Sequence, residues 1–282
     1  MSLLEAIVLG IIQGLTEFLP ISSTAHLRVI PELLGWKDRG AAFTAVIQLG
    51  TLVAVLIFFR ADIVRLLRAF WIDVKTCHYG TSHDAKLAWM IAVGTIPVVV
   101  LGLSLKKYIK EDFRDLHVVA WAAIGFALLL MVAEIRAARR AKRGDLGREE
   151  VSIGWRDVLI IGSFQALALI PGASRSGVTI TAGLLVGLSR STSARFSFLL
   201  SLPAVFGAGI YEMYKDRHEI LSTQDDIISI IVASVVSGFV GYASIAFLLG
   251  YLRKHSTYVF IIYRILLGAT LLALLQRGIL TG

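Results

Sequence analysis

Acidic, hydroxyl and imidazole side chains are concentrated near the amino terminus, in the stretch QGLTEFLPISSTAH that begins at Gln13. Gln13 and Glu17 are four residues apart, so an amide and a carboxylate share one face of a helix. Residues 22–24, Ser-Ser-Thr, follow Pro20, where hydroxyl side chains favour a helix start because they accept hydrogen bonds from free backbone amides. His26 can act as an acid, a base or a phosphate donor near neutral pH. These residue types at this spacing indicate acid–base or phosphoryl-transfer chemistry.

Each of these side chains also has a structural interpretation, which the sequence leaves open. Glu17 could cap a neighbouring helix or pair with an arginine, and His26 taken alone could equally be an ordinary structural histidine. Capping accounts for one serine, but it does not account for a carboxylate and a histidine in the same short segment. We therefore interpret the cluster as functional.

A second polar cluster, PGASRSGVT at residues 171–179, supplies a fixed positive charge. Arg175 lies between Ser174 and Ser176, and Thr179 follows about one helical turn later. The amides of a helix start and an arginine together form an anion site, for which phosphate is the usual ligand. Arg175 could instead only neutralise Glu17. Taken together, the two clusters indicate phosphoryl transfer on a lipid that carries phosphate.

The composition of the chain is that of a membrane protein. Of its 282 residues, 56% are hydrophobic and 17% are charged, and the mean hydropathy is +0.76, whereas soluble domains are about 45–50% apolar. The net charge of +8 fits the basic cytoplasmic loops of membrane proteins, so nucleic-acid binding is not expected. A single cysteine, Cys77, argues against disulfide frameworks and thiolate metal clusters. The amino terminus lacks the features of a cleaved secretory signal.

Apolar runs of spanning length predict about six transmembrane helices. They cover residues 42–59, 87–105, 118–135, 196–211, 227–249 and 258–275. Two further apolar stretches, 6–34 and 158–188, are interrupted at Pro20 and at residues 171–172, and they are predicted to form two re-entrant helical hairpins. The predicted fold class is therefore an all-α integral membrane protein, with its site where the hairpins break.

The two interrupted stretches resemble each other, which predicts an internal repeat. GIIQGLTEFLPISS begins at Gly10 and GSFQALALIPGASRS begins at Gly162. Both contain a glycine, a glutamine three residues on, a proline and a pair of serines. The chain is thus predicted to be one transmembrane domain of two units, residues 1–143 and 144–282, each with a hairpin and three spans. An odd number of spans gives the units opposite orientations, as in the inverted repeats of transporters.

The charge of the loops predicts which side of the membrane each loop occupies. Lysine and arginine are concentrated in residues 60–86, 136–156 and 253–254, whereas residues 106–114 and 212–226 carry fewer cations and an acidic run. By the positive-inside rule the first set is cytoplasmic. Both termini and the first hairpin are then predicted to face the outside.

The two clusters resemble the signatures of the undecaprenyl-diphosphatase, or bacitracin-resistance, family. QGLTE at residues 13–17, SSTAH at 22–26 and PGASRSGVT at 171–179 carry the resemblance, which extends over essentially the whole chain. Many members of that family have a glutamate where this sequence has Gln13. This difference puts a metal site with two carboxylates in doubt.

The resemblance implies hydrolysis of undecaprenyl diphosphate to undecaprenyl phosphate in the bacterial inner membrane, assisted by Mg²⁺ or Ca²⁺, which recycles the carrier for peptidoglycan synthesis. Arg175 would hold the diphosphate, Glu17 would bind metal or act as base, and His26 would assist proton transfer. Gln13 is a further candidate metal ligand. Ser23 is the candidate nucleophile, and attack by an activated water stays open. The other candidate diphosphate-binding residues are Ser22, Thr24, Ser174, Ser176 and Thr179. The expected partners are a polyprenyl diphosphate, membrane lipids and a second copy in a homodimer, with the site open to the periplasm.

A lipid flippase or secondary transporter is the alternative function, because an inverted repeat also fits that class. Haloperoxidase-type membrane phosphatases are excluded, since their Ser-Arg-x5-His pattern would need a histidine at Thr181. Arg264 is predicted to be structural, and the roles of Gln48 and Arg195 are left unassigned.

Overall fold

The computed structural model describes residues 1–37, 39–105, 108, 115–215, 217 and 223–280, and these ranges are largely α-helical. The helices are α1 (Leu3–Phe18), α2 (Ser23–Leu33), α3 (Gly40–Phe58), α4 (Arg60–Thr76), α5 (His83–Ser104), α6 (Leu116–Ala141), α7 (Trp155–Ala166), α8 (Arg175–Leu185), α9 (Arg190–Lys215), α10 (Gln224–Leu252) and α11 (Tyr258–Gln276). Each predicted span coincides with one of these helices. No strand occurs in the described ranges, so the predicted all-α class is confirmed.

The long helices have the length and surface of membrane spans. α5, α6, α9, α10 and α11 are long and apolar enough to cross a membrane, and α3 makes a sixth span when it is counted together with α4. Large apolar side chains cover the outside of the bundle. Phe239, for example, is 78% exposed, and contiguous apolar surface of this kind marks contact with lipid rather than water. The chain is a multi-pass membrane protein.

Helix α4 was not predicted, because its basic residues were interpreted as a loop. It follows α3 after a bend of 82°. Ile63, Leu66 and Phe70 recur at helical spacing along it and line an apolar cavity, so the segment is an amphipathic helix rather than a loop. Its basic residues, among them Arg65, lie on the exposed side.

Both predicted breaks are confirmed as helix breaks. α1 ends at Phe18 and α2 begins at Ser23; α7 is followed by a 3-10 turn, Leu167–Leu169, before α8 begins at Arg175. Gly172 is required in the second break, because it has a φ of 91° and a Cβ atom there would lie 2.4 Å from the carbonyl oxygen of Val119. That the two hairpins are re-entrant in a membrane stays a prediction.

The first helix of each hairpin packs mainly against the other predicted unit. α1 contacts α10 most extensively, and α7 contacts α5. α3 with α9 and α6 with α11 also pair across the predicted boundary between residues 143 and 144. This reciprocal packing is what two interlocked copies would give, and the division into two inverted units remains a prediction.

Ion pairs and hydrogen bonds show that the three basic loops lie at one end of the bundle. Arg195 pairs with both Asp62 and Glu150, and the Glu134 carboxylate pairs with Arg190 and accepts hydrogen bonds from the amide and hydroxyl of Thr257. We call this the basic end. Arg195 therefore has a structural role there.

The amino terminus lies at the opposite end of the bundle. Its ammonium group is 3.7 Å from Asp226, near the start of the long helix α10, whereas Thr257 follows the end of that helix. Residues 106–107, 109–114, 216 and 218–222, which belong to the two loops predicted to be external, lie outside the described residues.

Candidate active site

The breaks of the two hairpins meet around one polar cavity of about 220 Å³. Its polar wall consists of Glu17, Ser22, Ser23, Thr24, Gln48, Gln165, Ser174 and Arg175. The end of α1 and the start of α2 supply one side, and the start of α8 supplies the other. The two polar clusters of the sequence are therefore brought together at the breaks.

The Glu17 carboxylate is the centre of the hydrogen-bond network in this cavity. Its Oε1 accepts from Arg175 Nη2 and from Gln48 Nε2, each at 2.5 Å. Its Oε2 accepts from Ser23 Oγ at 2.7 Å and from Gln13 Nε2 at 2.9 Å. Because the residue is only 6% exposed, these donors and the arginine replace water in stabilising the buried carboxylate. The ion pair proposed as a structural alternative does form, and it forms inside the polar cavity.

The two helix starts have the same unusual backbone. Ser22 and Ser174 have φ values of 75° and 66°, and their Oγ atoms accept hydrogen bonds from the amides of Ala25 and Gly177. A positive φ in a residue with a Cβ atom costs roughly 1–3 kcal/mol and is concentrated at functional sites. Both helix starts adjoin the cavity, where their partial positive charge favours an anion.

Two predicted diphosphate-binding residues lie behind the cavity wall instead of in it. The Ser176 hydroxyl donates to the carbonyl oxygen of Leu19 at 3.1 Å and so ties the second hairpin to the first. The Thr179 hydroxyl donates to the carbonyl oxygen of Arg175 at 2.8 Å and lies 2.5 Å from Ser197 Oγ. Their contacts support the position of Arg175.

His26 lies beside the cavity and faces away from its wall. Its Nδ1 is 2.7 Å from the carbonyl oxygen of Ser22, and its Nε2 is 2.6 Å from the Tyr263 hydroxyl, whose ring stacks on the imidazole. Since a carbonyl only accepts, the neutral imidazole carries its proton on Nδ1 and accepts from Tyr263. Proton transfer to the cavity by His26 stays a prediction, and it requires a relay through these neighbours or a turn of the ring.

Sequence reasoning left Gln48 unassigned and did not single out Gln165. Both line the cavity. Gln48 is an amide inside an otherwise apolar run, a position that marks a functional path in membrane proteins. Gln165 occupies the place in GSFQAL that Gln13 occupies in GIIQGL, so the repeat itself was the available signal.

Arg264 holds the backbone of the second break through hydrogen bonds. It is fully buried on α11, and its Nη2 donates to the carbonyl oxygens of Gly172 and Ala173 at 3.0 and 2.9 Å. These contacts fit the structural role predicted for it.

Two side chains of the network could contribute to a hard metal ion. Among the described residues, no three His, Cys, Asp or Glu side chains are grouped to hold one. The oxygens of Glu17 already accept four hydrogen bonds, but Gln13 Oε1 is buried without a hydrogen-bond partner in the described structure. A carboxylate and an amide oxygen suit Mg²⁺ or Ca²⁺ only when phosphate oxygens and water supply the other ligands. An ion shared with a phosphorylated substrate would meet Glu17 first, since Gln13 is not among the residues that line the polar cavity.

An apolar cavity of about 700 Å³ adjoins the polar one, between α3, α4, α5 and α9. Leu52 lines it one helical turn after Gln48, and Pro203 lines it directly before Ala204, which belongs to the polar cavity. Phe206, on the open side of the cavity, is 57% exposed. The apolar cavity therefore lies close to the polar one along α3 and α9, and it is open to the outside of the bundle.

Comparisons with known proteins agree over nearly the full length of the chain. The family model described as "Bacitracin resistance protein BacA" matches residues 6–270. The chain is 57% identical over 281 residues to a protein of Chlorobium limicola named undecaprenyl-diphosphatase, with 99% of each chain covered. A protein of the same name from Chloroherpeton thalassium is 56% identical over 278 residues, which cover 99% of this chain and 98% of that one. A third, from Chlorobaculum tepidum, is 54% identical over 279 residues, with 99% of each chain covered.

Proposed function

The chain belongs to the bacitracin resistance protein BacA family, and on this basis we propose that it is a membrane phosphatase that hydrolyses undecaprenyl diphosphate to undecaprenyl phosphate and inorganic phosphate. One observation supports this most directly. A carboxylate, a serine and an arginine from two breaks that are distant in sequence share a polar cavity, and an apolar cavity lies close to it. This is the arrangement that a charged headgroup on a lipid tail requires. Regeneration of the lipid phosphate supplies the carrier for cell-wall synthesis and accounts for bacitracin resistance.

Arg175 is the proposed anchor of the diphosphate. Its Nη2 donates to Glu17, while its Nη1 is buried and finds no partner in the described part of the chain. A guanidinium with one free nitrogen can bind a phosphate oxygen without leaving its carboxylate. Ser22, Thr24 and Ser174 supply further hydroxyls around the same cavity.

Ser23 is the proposed nucleophile, and Glu17 is its base. The serine hydroxyl already donates to the carboxylate at 2.7 Å, which is the geometry that activation of a serine needs. In the first step Ser23 Oγ bonds to the terminal phosphorus, its proton passes to Glu17, and the bond to the oxygen of undecaprenyl phosphate breaks. Glu17 passes this proton to the departing oxygen of undecaprenyl phosphate and becomes a carboxylate again. It then takes a proton from the water that attacks the phosphoserine, and returns that proton to Ser23 Oγ as inorganic phosphate leaves. In the alternative, a water activated by Glu17 attacks directly.

The apolar cavity is the proposed site of the first isoprene units. Its volume of about 700 Å³ is within the range of small-molecule pockets, about 300–1,000 Å³, so it holds only part of a long prenyl chain. The rest of the chain would leave through the open side near Phe206 into the lipid.

The cavity would hold Mg²⁺ or Ca²⁺ only together with the substrate, because its own residues supply too few oxygen ligands. Glu17 and the free oxygen of Gln13 would hold the ion together with phosphate oxygens, and it would neutralise part of the diphosphate charge. Chelation should therefore lower phosphate release, and added Mg²⁺ should restore it. Full activity in the presence of chelator would refute the role of the metal ion, and the proposed roles of the side chains would still stand.

We place the protein in the bacterial inner membrane, with the basic end in the cytoplasm and the polar cavity open to the periplasm. The excess of lysine and arginine at the basic end supports this orientation. A cysteine-labelling experiment on intact cells tests it, because a cysteine introduced at exposed Leu3 should react from outside and Cys77, exposed at the basic end, should not.

The decisive experiment measures phosphate release by the purified protein from long-chain and short-chain prenyl diphosphates. Arg175→Ala and Ser23→Ala should lose release by at least about 100-fold, while Ser163→Ala, which removes an exposed hydroxyl from α7, should match wild type. Wild-type turnover in Ser23→Ala would assign the attack to water. Movement of substrate without any phosphate release would favour a transporter and refute the phosphatase.

A further inference from the structure

The side-chain amide of Gln165 is buried and makes no hydrogen bond with the described residues. It is 0% exposed on α7, and neither its Nε2 nor its Oε1 has a hydrogen-bond partner among the residues that the structure describes. Buried polar groups are almost always paired, and those that are not need an explanation.

The position of Gln165 supplies that explanation. Gln165 is among the residues that line the polar cavity, together with Arg175, whose Nη1 is also unpaired. Two groups of N–H donors thus border one small cavity without an acceptor. Gln13, at the matching place in the first unit, instead donates to Glu17, so the first unit positions the carboxylate and the second leaves its amide free.

We propose that Gln165 is a further substrate-binding residue, whose amide N–H donates to an oxygen of the diphosphate beside Arg175. The proposal rests on the phosphatase function proposed above. An amide adds donors without adding charge, so it orients the headgroup after Arg175 has attracted it. A carboxylate at this position would repel the same headgroup.

The test compares Gln165→Leu and Gln165→Glu with wild type, and with Gln276→Leu as the control for loss of an exposed amide at the end of α11. Loss of a hydrogen bond to a charged group predicts that kcat/KM falls about 10- to 100-fold in Gln165→Leu, and further in Gln165→Glu. Thermal unfolding is measured on the same samples with and without inorganic phosphate. The melting temperature of Gln165→Leu should equal or exceed that of wild type, because an unpaired buried amide is replaced by an apolar group, while its rise with phosphate should shrink.

Two results would overturn the proposal. One is a kcat/KM for Gln165→Leu within about threefold of wild type, together with the wild-type response to phosphate. The other is a melting temperature that drops in parallel with activity, which a structural role would give. If wild-type protein released no phosphate from any prenyl diphosphate, the phosphatase function would fail. The phosphate-dependent melting temperatures would then still decide whether Gln165 binds the anion.

Discussion

Replacing Glu17 by glutamine tests the charge of this side chain and keeps its shape. The hydrogen bonds can be rebuilt around the new amide. Its oxygen still accepts from Arg175 and Gln48, the free oxygen of Gln13 can turn to accept from the new NH2 group, and the Ser23 hydroxyl can rotate. The substitution therefore removes one negative charge and leaves the Arg175 guanidinium without its counter-ion.

The expected cost follows from the surroundings of the two groups. Loss of one partner of a buried ion pair costs about 2–5 kcal/mol, and we expect the lower part of this range because the Arg175 side chain is 17% exposed. Arg175→Met should cost less, about 1 kcal/mol, since Glu17 keeps three neutral donors. The double variant should then fall short of the sum of the two by about 1 kcal/mol.

The free energy of unfolding of the four proteins can be measured by titration with SDS in mixed micelles, and phosphate release can be assayed on the same samples. Glu17→Gln should lower kcat at least about 100-fold, because the base is lost. Costs that add to within about 0.5 kcal/mol would show that the pair does not stabilise the site. Normal phosphate release by Glu17→Gln would refute its role as base, whatever its stability.

Three other predictions concern the backbone, the packing and the histidine. Ser174→Ala loses a helix cap and keeps the strained φ, so the free energy of unfolding should fall by about 1 kcal/mol. Ser174→Gly loses the same cap but relieves the strain, so it should melt at a higher temperature than Ser174→Ala. The reverse order of melting temperatures would contradict the strain. Gly50→Ala places a Cβ atom 1.9 Å from a backbone oxygen of α10 and should prevent folding, whereas Gly125→Ala meets open space and should fold normally, as fluorescence-detected size exclusion would show. Tyr263→Phe should lower kcat with KM unchanged if His26 exchanges protons through that hydroxyl, and an unchanged kcat would exclude the relay.

Periodicity and breaks in the sequence predicted most of the fold, because both follow from local physical chemistry. Six spans could be recognised from apolar runs alone, and the breaks from Pro20 and residues 171–172. Helix α4 was missed because its many basic residues resemble those of a loop. Its amphipathic pattern becomes apparent only from the helical spacing of Ile63, Leu66 and Phe70.

The site was predicted in its residue types and only partly in its geometry. Spacing placed Gln13 and Glu17 on one face, and they are hydrogen bonded. No local pattern could show that Gln48, from a different helix, donates to the same carboxylate, since this contact depends on tertiary packing. For the same reason the sequence could not show that the His26 ring turns toward Tyr263.

The bend between α3 and α4 has a consequence for chain-length selectivity. α4 lies at the basic end and forms part of the wall of the apolar cavity through Leu66 and Phe70. Under the proposed function, a prenyl tail that starts near Glu17 would therefore meet α4 instead of running straight along α3 past the bend, and it would turn sideways into the bilayer after its first few units. Turnover should therefore rise with substrate length only until the cavity is full, and then become independent of length, which would let one enzyme serve lipid carriers of different size.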